Sequence, residues 1–255
     1  MQRTPRDQAA GLRRLFAPRG GVLVPVLAQP GLAAAELLLD ALVGAYLERG
    51  LQVLVVDAGP AAKAAPELAR INLAACLERL SDDVQFLEAR GLAGHYLDAR
   101  GNAGSLVEAL RGAAPQADVI LLHAPVAELA RVLVGQGDSA QDCRPILLTD
   151  LQSQSLTQAY AAMKWLQQRA HCQVFGLLVA GHPSLALTRR IAEQLADCAE
   201  RFLGAALPVW AALDPRAGLR AAPSAELRRL ARDSLLGFEP QTVHHGALEY
   251  APLTI

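Results

Sequence analysis

Between the apolar stretch Val22 to Leu27 and a helical pattern running from Leu37 stand eight residues, Gln29-Pro30-Gly31-Leu32-Ala33-Ala34-Ala35-Glu36. An α/β protein holds a phosphate chain at such a loop. The chemistry needs glycines so that successive N–H groups can point at phosphate oxygens, a Lys for the β/γ charge, and a Ser or Thr for the metal. A second apolar strand, Gln52 to Val56, ends in Asp57 and completes the frame of strand, loop, helix and strand with a terminal acid. The loop's own chemistry is missing. Only Gly31 is present, there is no Lys, and Glu36 stands where the hydroxyl would be, so that a carboxylate would face and repel a triphosphate.

Other reactive side chains are scattered. Asp57 reads as a carboxylate capping the turn that follows its strand. His123 ends a buried strand at the edge where ligands bind in open α/β sheets, yet a lone His there reads first as a hydrogen-bonded core residue. His244-His245 has no Cys or carboxylate at metal-ligand spacing. Cys143 and the His171-Cys172 pair lack a base placed for nucleophilic work and read as structural.

Alternating apolar strands and amphipathic helices must position these groups. Strands are expected at 22–27, 52–57, 84–88, 118–123, 145–149, 173–179 and 207–212. Helical periodicity is clearest at 32–48, 62–79, 103–112, 153–169 and 184–202. Continuous apolar strands alternating with helices predict an α/β fold with a mostly parallel twisted sheet covered on both faces. Ahead of it, Thr4 is a good N-cap, Pro5 suits the first helical position, and Asp7 lies three residues past the cap. That short helix should stop at Phe16, before the tether Ala17-Pro18-Arg19-Gly20-Gly21. The division is residues 1–20, helix and linker, and 21–255, the α/β domain. The tail after Gly237 is expected to lie irregularly over the surface. The segment 226–236 has Leu227, Leu230, Ala231 and Leu235 on one face beside Arg228, Arg229 and Arg232. It reads as a helix packed on the domain, with peripheral membrane contact as the alternative.

The totals fit this picture. The chain has 255 residues, a formal charge of −1 and 52% apolar residues, enough for one large domain and no global pull toward nucleic acid or membrane. No apolar run reaches the roughly 18 to 20 residues of a membrane span. The start of the chain has no signal-peptide pattern, and the four cysteines have no C-x-x-C spacing, so a cytoplasmic protein with reduced thiols is expected.

Three segments together carry a family resemblance. Asp7-Gln8-Ala9-Ala10-Gly11-Leu12-Arg13 resembles the D-Q-A-x-x-L-R segment that opens FlhG (FleN) proteins, MinD-like ATPases that control flagellar number and position. Asp150 to Leu166 is similar to that family's P-E-x-T-S-x-T-D-A-Y-A-x-I-K stretch. Cys198 to Gly204, followed by Leu213-Asp214-Pro215, resembles its late helix, last strand and I-P-x-D-P loop. The resemblance implies a MinD-like P-loop NTPase fold.

Carried over position by position, the resemblance also implies that the site is degraded. The signature Lys of the loop falls on Pro30, the phosphate Lys on Ala35 and the metal-binding Thr on Glu36. Asp57 is kept, the second Asp of D-A-D is Gly59, the Asp ending the next catalytic strand is His123, and the base-contacting Asn is Ala180 or Gly181. Loss of phosphate, metal, switch and base contacts together argues against ATP hydrolysis, so no ATP, magnesium or other cofactor is expected. A functioning ATPase with an atypical loop is the alternative. In the family the first helix engages FlhF, a signal-recognition-type GTPase, and stimulates its hydrolysis. Gln8 occupies the position of the candidate water-orienting glutamine. Asp7 belongs to the same motif, Leu12, Leu15 and Phe16 form an apolar anchor stripe, and Arg13 faces acidic groups or phosphate. Flagellar transcriptional or basal-body proteins are further expected partners, with placement at the cell pole or inner membrane. Relatives of MinD dimerise across bound ATP; without that bridge a monomer is expected.

Overall fold

Val22–Leu27 forms strand β1, at the centre of the sheet. The structure, a computed structural model, describes residues 20–137, 143–216 and 222–236. The expected first helix, with Asp7, Gln8, Leu12, Arg13, Leu15 and Phe16, lies outside the described residues, as do the tail after Gly237 and His244-His245.

After β1 come helix α1 (Ala35–Leu47), β2 (Val53–Asp57), β3 (Glu78–Arg79), β4 (Val84–Glu88), α2 (Ser105–Ala113), β5 (Val119–Ala124) and α3 (Val126–Val134). Then follow β6 (Ile146–Asp150), α4 (Ser153–Ala170), β7 (Val174–Ala180), α5 (Ala186–Leu203), β8 (Ala206–Leu213) and α6 (Ala225–Asp233). The strands form one sheet in the order β3-β4-β2-β5-β1-β6-β7-β8. All neighbours run parallel except β3 against β4. The fold is the expected α/β architecture.

Alternation along the strands sorts side chains between two cores. On β1, Leu23 and Leu27 face a layer made by α2, α3, α4 and α5, whereas Val24 and Val26 face α1 and α6. Such two-sided burial explains why the strands are apolar throughout rather than alternating. Pro25 sits inside the central strand although it cannot donate a ladder hydrogen bond. β6 pairs only with Val26 and Leu27, so the proline lies where the ladder is still one-sided.

Helix α1 buries Leu38, Leu42 and Tyr46 completely, each burial being worth roughly 1.5–3 kcal/mol. The Tyr46 hydroxyl shares a 2.6 Å hydrogen bond with Ser234 Oγ just beyond α6, and Ser234 bonds the Ala231 carbonyl at 2.9 Å. Burial pushes the Tyr46 phenol above its usual range, so the group stays protonated. Helix α6 opens at Ser224, whose Oγ accepts from the Leu227 N–H at 3.2 Å. Its apolar face, Leu227, Leu230 and Ala231, is buried, and Arg228 pairs with Glu48 at 2.8 Å. The apolar side is spent on the sheet and α1, leaving a solvated basic side. No helix among the described residues is long and apolar enough to cross a membrane.

Two sequence expectations fail. The periodicity at 62–79 does not become a helix: the segment forms short 3₁₀ turns at Glu67–Arg70 and Leu73–Cys76, then β3. Pro66 is extended, and the Asn72 side chain accepts from the Ala75 N–H at 3.2 Å, closing a local turn. The backbone ahead of them pairs with β4's continuation: Ala65 N–H donates to the Arg90 carbonyl and Arg90 N–H to that of Lys63. Helix α3, absent from the periodicities above, starts at Pro125, whose carbonyl accepts from both Glu128 and Leu129 at 3.0 Å. Helix α1 begins at Ala35 rather than residue 32 because the loop makes its own turns first, Leu32 N–H to Gln29 O and Ala35 N–H to Leu32 O.

Candidate functional site

The carboxyl ends of β2, β5 and β1 stand side by side, and connections leave there on opposite faces of the sheet. β1 leads to α1 on one side, β5 and β6 to α3 and α4 on the other. Such a crevice is where open α/β sheets hold ligands. Asp57 and His123 are register partners across β2 and β5. Strand alternation puts both on the α1 face, since Val55 and Leu121 belong to that core.

They are joined. His123 Nδ1 lies 2.8 Å from Asp57 Oδ1, and the Gly59 N–H donates to the same oxygen at 2.9 Å. Burial alone would raise the Asp57 pKa, but the bond from His123, the Gly59 N–H and the imidazole charge outweigh it and hold the carboxyl below its ordinary value. Asp57 is therefore an anion that accepts from His123 Nδ1–H. The sequence reading of both residues holds: Asp57 caps the turn after its strand, and His123 is a hydrogen-bonded core residue.

Gly59 completes the arrangement. A Cβ there would lie 2.9 Å from Asp57 Oδ1, 3.0 Å from His123 Cε1 and 3.2 Å from His123 Nδ1. The Asp–His pair thus occupies the space a side chain at 59 would need. His123 and Gly59 thus form one unit with Asp57.

The loop 28–34 is anchored by Ala28 N–H to the Ala124 carbonyl at 2.9 Å and turns at Gly31 with φ +80. Helix α1 starts without a side-chain cap, and Glu36 lies exposed in its first turn, where its carboxylate complements the helix dipole. Pro30 is exposed, so nothing charged replaces the missing Lys. Magnesium and a triphosphate do not fit these residues. Asp57 Oδ1 is already shared by two donors, Gly59 offers no carboxylate, and Glu36 supplies repulsion. Among the described residues no group of three His, Cys, Asp or Glu could hold a metal ion.

Two buried polar groups at this edge lack partners among the described residues. Gln29 is only 5% exposed, and neither its amide oxygen nor its nitrogen finds a partner among the described residues; His123 Nε2 is likewise buried and unpaired. Glutamine in a turn carries no signal of burial, so sequence alone gives no hint of it.

At the far end of the crevice, Gly181 has little room for a side chain: a Cβ would lie 3.0 Å from Thr188 Oγ1 and 3.2 Å from Leu151. Ala180 is buried at the end of β7. Asp150 accepts from the backbone N–H and the side chain of Gln152, and Asp214 accepts from the Arg216 N–H, so both close turns. Burial, with Cys143 adding to it, pushes the Cys172 thiol up to about 12, which leaves no thiolate for nucleophilic chemistry. His171 adopts φ +56 as the left-handed cap of α4. Residues 150–166 become the end of β6 and most of α4; 198–204 and 213–215 become the end of α5 and the loop after β8.

No protein-family model matches the sequence, and no curated protein matches it. Solved structures do share the fold. Cobyrinic acid a,c-diamide synthase from Mycobacterium smegmatis with a bound ATP analogue and magnesium is 22% identical, with a TM-score of 0.57 over 83% of this chain and 93% of that one. A plasmid partition protein from Borrelia burgdorferi is 10% identical, with a TM-score of 0.56 over 85% and 96%. Another from Borrelia burgdorferi B31, bound to AMPPNP, is 9% identical, with a TM-score of 0.55 over 85% and 97%. The chain shares its α/β fold with these proteins.

Proposed function

We propose that the chain is a degenerate, non-hydrolysing regulator of the FlhG kind, acting on flagellar assembly or number by presenting residues 1–20 to an FlhF-like GTPase. One observation supports the non-hydrolysing half: Asp57, His123 and Gly59 satisfy one another at positions to which the resemblance assigns acidic groups of the family's site. The regulatory half is supported by the three sequence segments that resemble FlhG proteins. In this reading the α/β body is a scaffold in the cytoplasm, with at most peripheral contact at the pole or inner membrane. Gln8 orients the GTPase's attacking water through its amide, which needs no titration. Asp7, Leu12, Arg13, Leu15 and Phe16 anchor the helix on the partner. Flagellar transcriptional or basal-body proteins are further candidate partners.

The test is GTP turnover by the FlhF-like GTPase with the whole chain, with Gln8→Ala and with residues 1–20 removed. Stimulation by the whole chain that both changes abolish is expected; equal turnover in all three refutes the role.

A second reading, a functioning ATPase with an unusual loop, is favoured by the bound ATP analogue and AMPPNP in two neighbours of the same fold. The unpaired amide of Gln29 at the loop is also in its favour. It predicts a melting temperature that rises with Mg-ATP, because a ligand bound only by the native state stabilises it by mass action.

A further inference from the structure

Helices α4 and α5 leave an open, mainly apolar groove of about 280 Å³ between them, lined by Leu156, Thr157 and Tyr160 of α4 and Ile191, Gln194, Leu195 and Cys198 of α5. Along α5 the groove residues extend into a stripe, Leu187, Ile191, Gln194, Cys198 and Phe202, at spacings of three and four. Leu187 is 52% exposed and Phe202 72% exposed, one near each end of the helix. Between them lie buried Ile191, exposed Gln194 and half-buried Cys198, so two large exposed apolar side chains flank the groove.

The stripe has an internal symmetry. Folded back on itself about Gln194, it sets Leu187 opposite the region of Phe202 and Ile191 opposite Cys198. Charge follows the same symmetry. Arg190 and Asp197 lie on the same flank of the stripe, about four and three residues either side of the centre, and both are exposed. Neither makes an ion pair within the described residues. Antiparallel packing of two such helices about a two-fold axis brings Arg190 of each copy beside Asp197 of the other. A two-fold contact must be self-complementary in this way, with residue i meeting j and j meeting i.

We propose that this face is the contact surface between two copies of the chain, packed antiparallel through α5 with the axis passing beside Gln194. The groove lining from α4, Leu156 and Tyr160, receives the partner's α5. The surface lies on the α2–α5 side of the sheet, away from the loop at the start of α1, so association needs no nucleotide. An 18-residue helix is about 27 Å long, so a single such face makes a small contact beside the roughly 1,200–2,000 Å² that stable complexes bury. The dimer is accordingly weak and concentration-dependent. The terminal segments of the same chain are the other candidate occupants.

Sedimentation equilibrium of the whole chain without nucleotide tests this. The average mass should climb from 27.0 kDa toward twice that value as concentration rises through tens of micromolar. Phe202→Asp should hold the protein monomeric, as should Arg190→Asp or Asp197→Arg alone. The double change Arg190→Asp with Asp197→Arg should restore the dimer, a rescue that general damage to the fold would not give. Oxidation of Gln194→Cys in a Cys198→Ser background should yield disulfide-linked dimers. A chain that stays monomeric at every concentration overturns the proposal. So does a dimer that ignores the charge exchange, or a groove covered within the monomer so that removing residues 1–19 is what exposes it. None of these readouts involves a GTPase, so the result is independent of the regulatory role proposed above.

Discussion

Two glycines, one within β7 and one in the turn after β2, each have their side-chain space filled by a neighbour, and the neighbours differ in kind. At Gly176 on β7 a Cβ would lie 2.6 Å from Leu230 Cδ1 of α6. The glycine there lets an apolar side chain reach the sheet and dock a helix. At Gly59 the intruder is polar, the Asp57–His123 pair. The first arrangement holds the fold together, whereas the second fills the place where a fold of this type does its chemistry. The registers that build the core and the residues at the carboxyl edge are separable, so the edge can vary while β1, β2 and β5 stay in place.

The largest effect should come from the packing side. Leu230→Ala removes a side chain that is 1% exposed and should cost about 2–5 kcal/mol, read as a fall in melting temperature of several degrees. Little loss would mean that α6 is not a structural part of the body.

The next effect compares the two glycines directly. Gly59→Ala forces a Cβ against the Asp–His pair and should cost about 1–3 kcal/mol. The same change in a His123→Ala background should cost clearly less, because the clashing ring is gone. A double-mutant cycle from chemical denaturation measures the coupling. Additive penalties would break the claim that positions 59 and 123 form one unit.

Tyr46→Phe is smaller. It removes the bond to Ser234 and leaves that hydroxyl its bond to the Ala231 carbonyl, so a loss of about 1 kcal/mol is expected in urea denaturation.

The smallest effect is pH-dependent. The native Asp57 pKa is lowered, by hydrogen bonds and imidazole charge that overcome burial. Its contribution to stability is therefore complete above the ordinary carboxylate value of about 3.9 and is lost as pH falls through the lower native value. The stability gap between the parent chain and Asp57→Asn should hold at neutral pH and shrink below about pH 4. A gap that stays constant through that range would show that the Asp57 charge plays no part.

Much of the fold was legible because long apolar strands and strongly periodic helices speak for themselves. β1, β4 and α4 fall within a residue of their expected limits. The segment 62–79 misled because its periodicity is real while Pro66 and Asn72 supply turn geometry that overrides it. Helix α3 was hidden because Pro125 reads as a breaker until its carbonyl is seen to cap the first turn. At the candidate site the residue types of the loop, Pro30, Ala35 and Glu36, are plain in the sequence. The Asp57–His123 bond could not, since it depends on the pairing of β2 with β5, 66 residues apart in the chain, and so does the reason for Gly59. Burial of an unpaired Gln29 leaves no trace in sequence.

The most direct test of the carboxyl edge is calorimetric titration of Mg-ATP into the purified full-length chain, with melting temperature followed alongside. No saturable heat and an unchanged melting temperature at millimolar Mg-ATP are predicted. Stoichiometric binding that needs magnesium and is weakened by changes at Gln29 or Asp57 would contradict it.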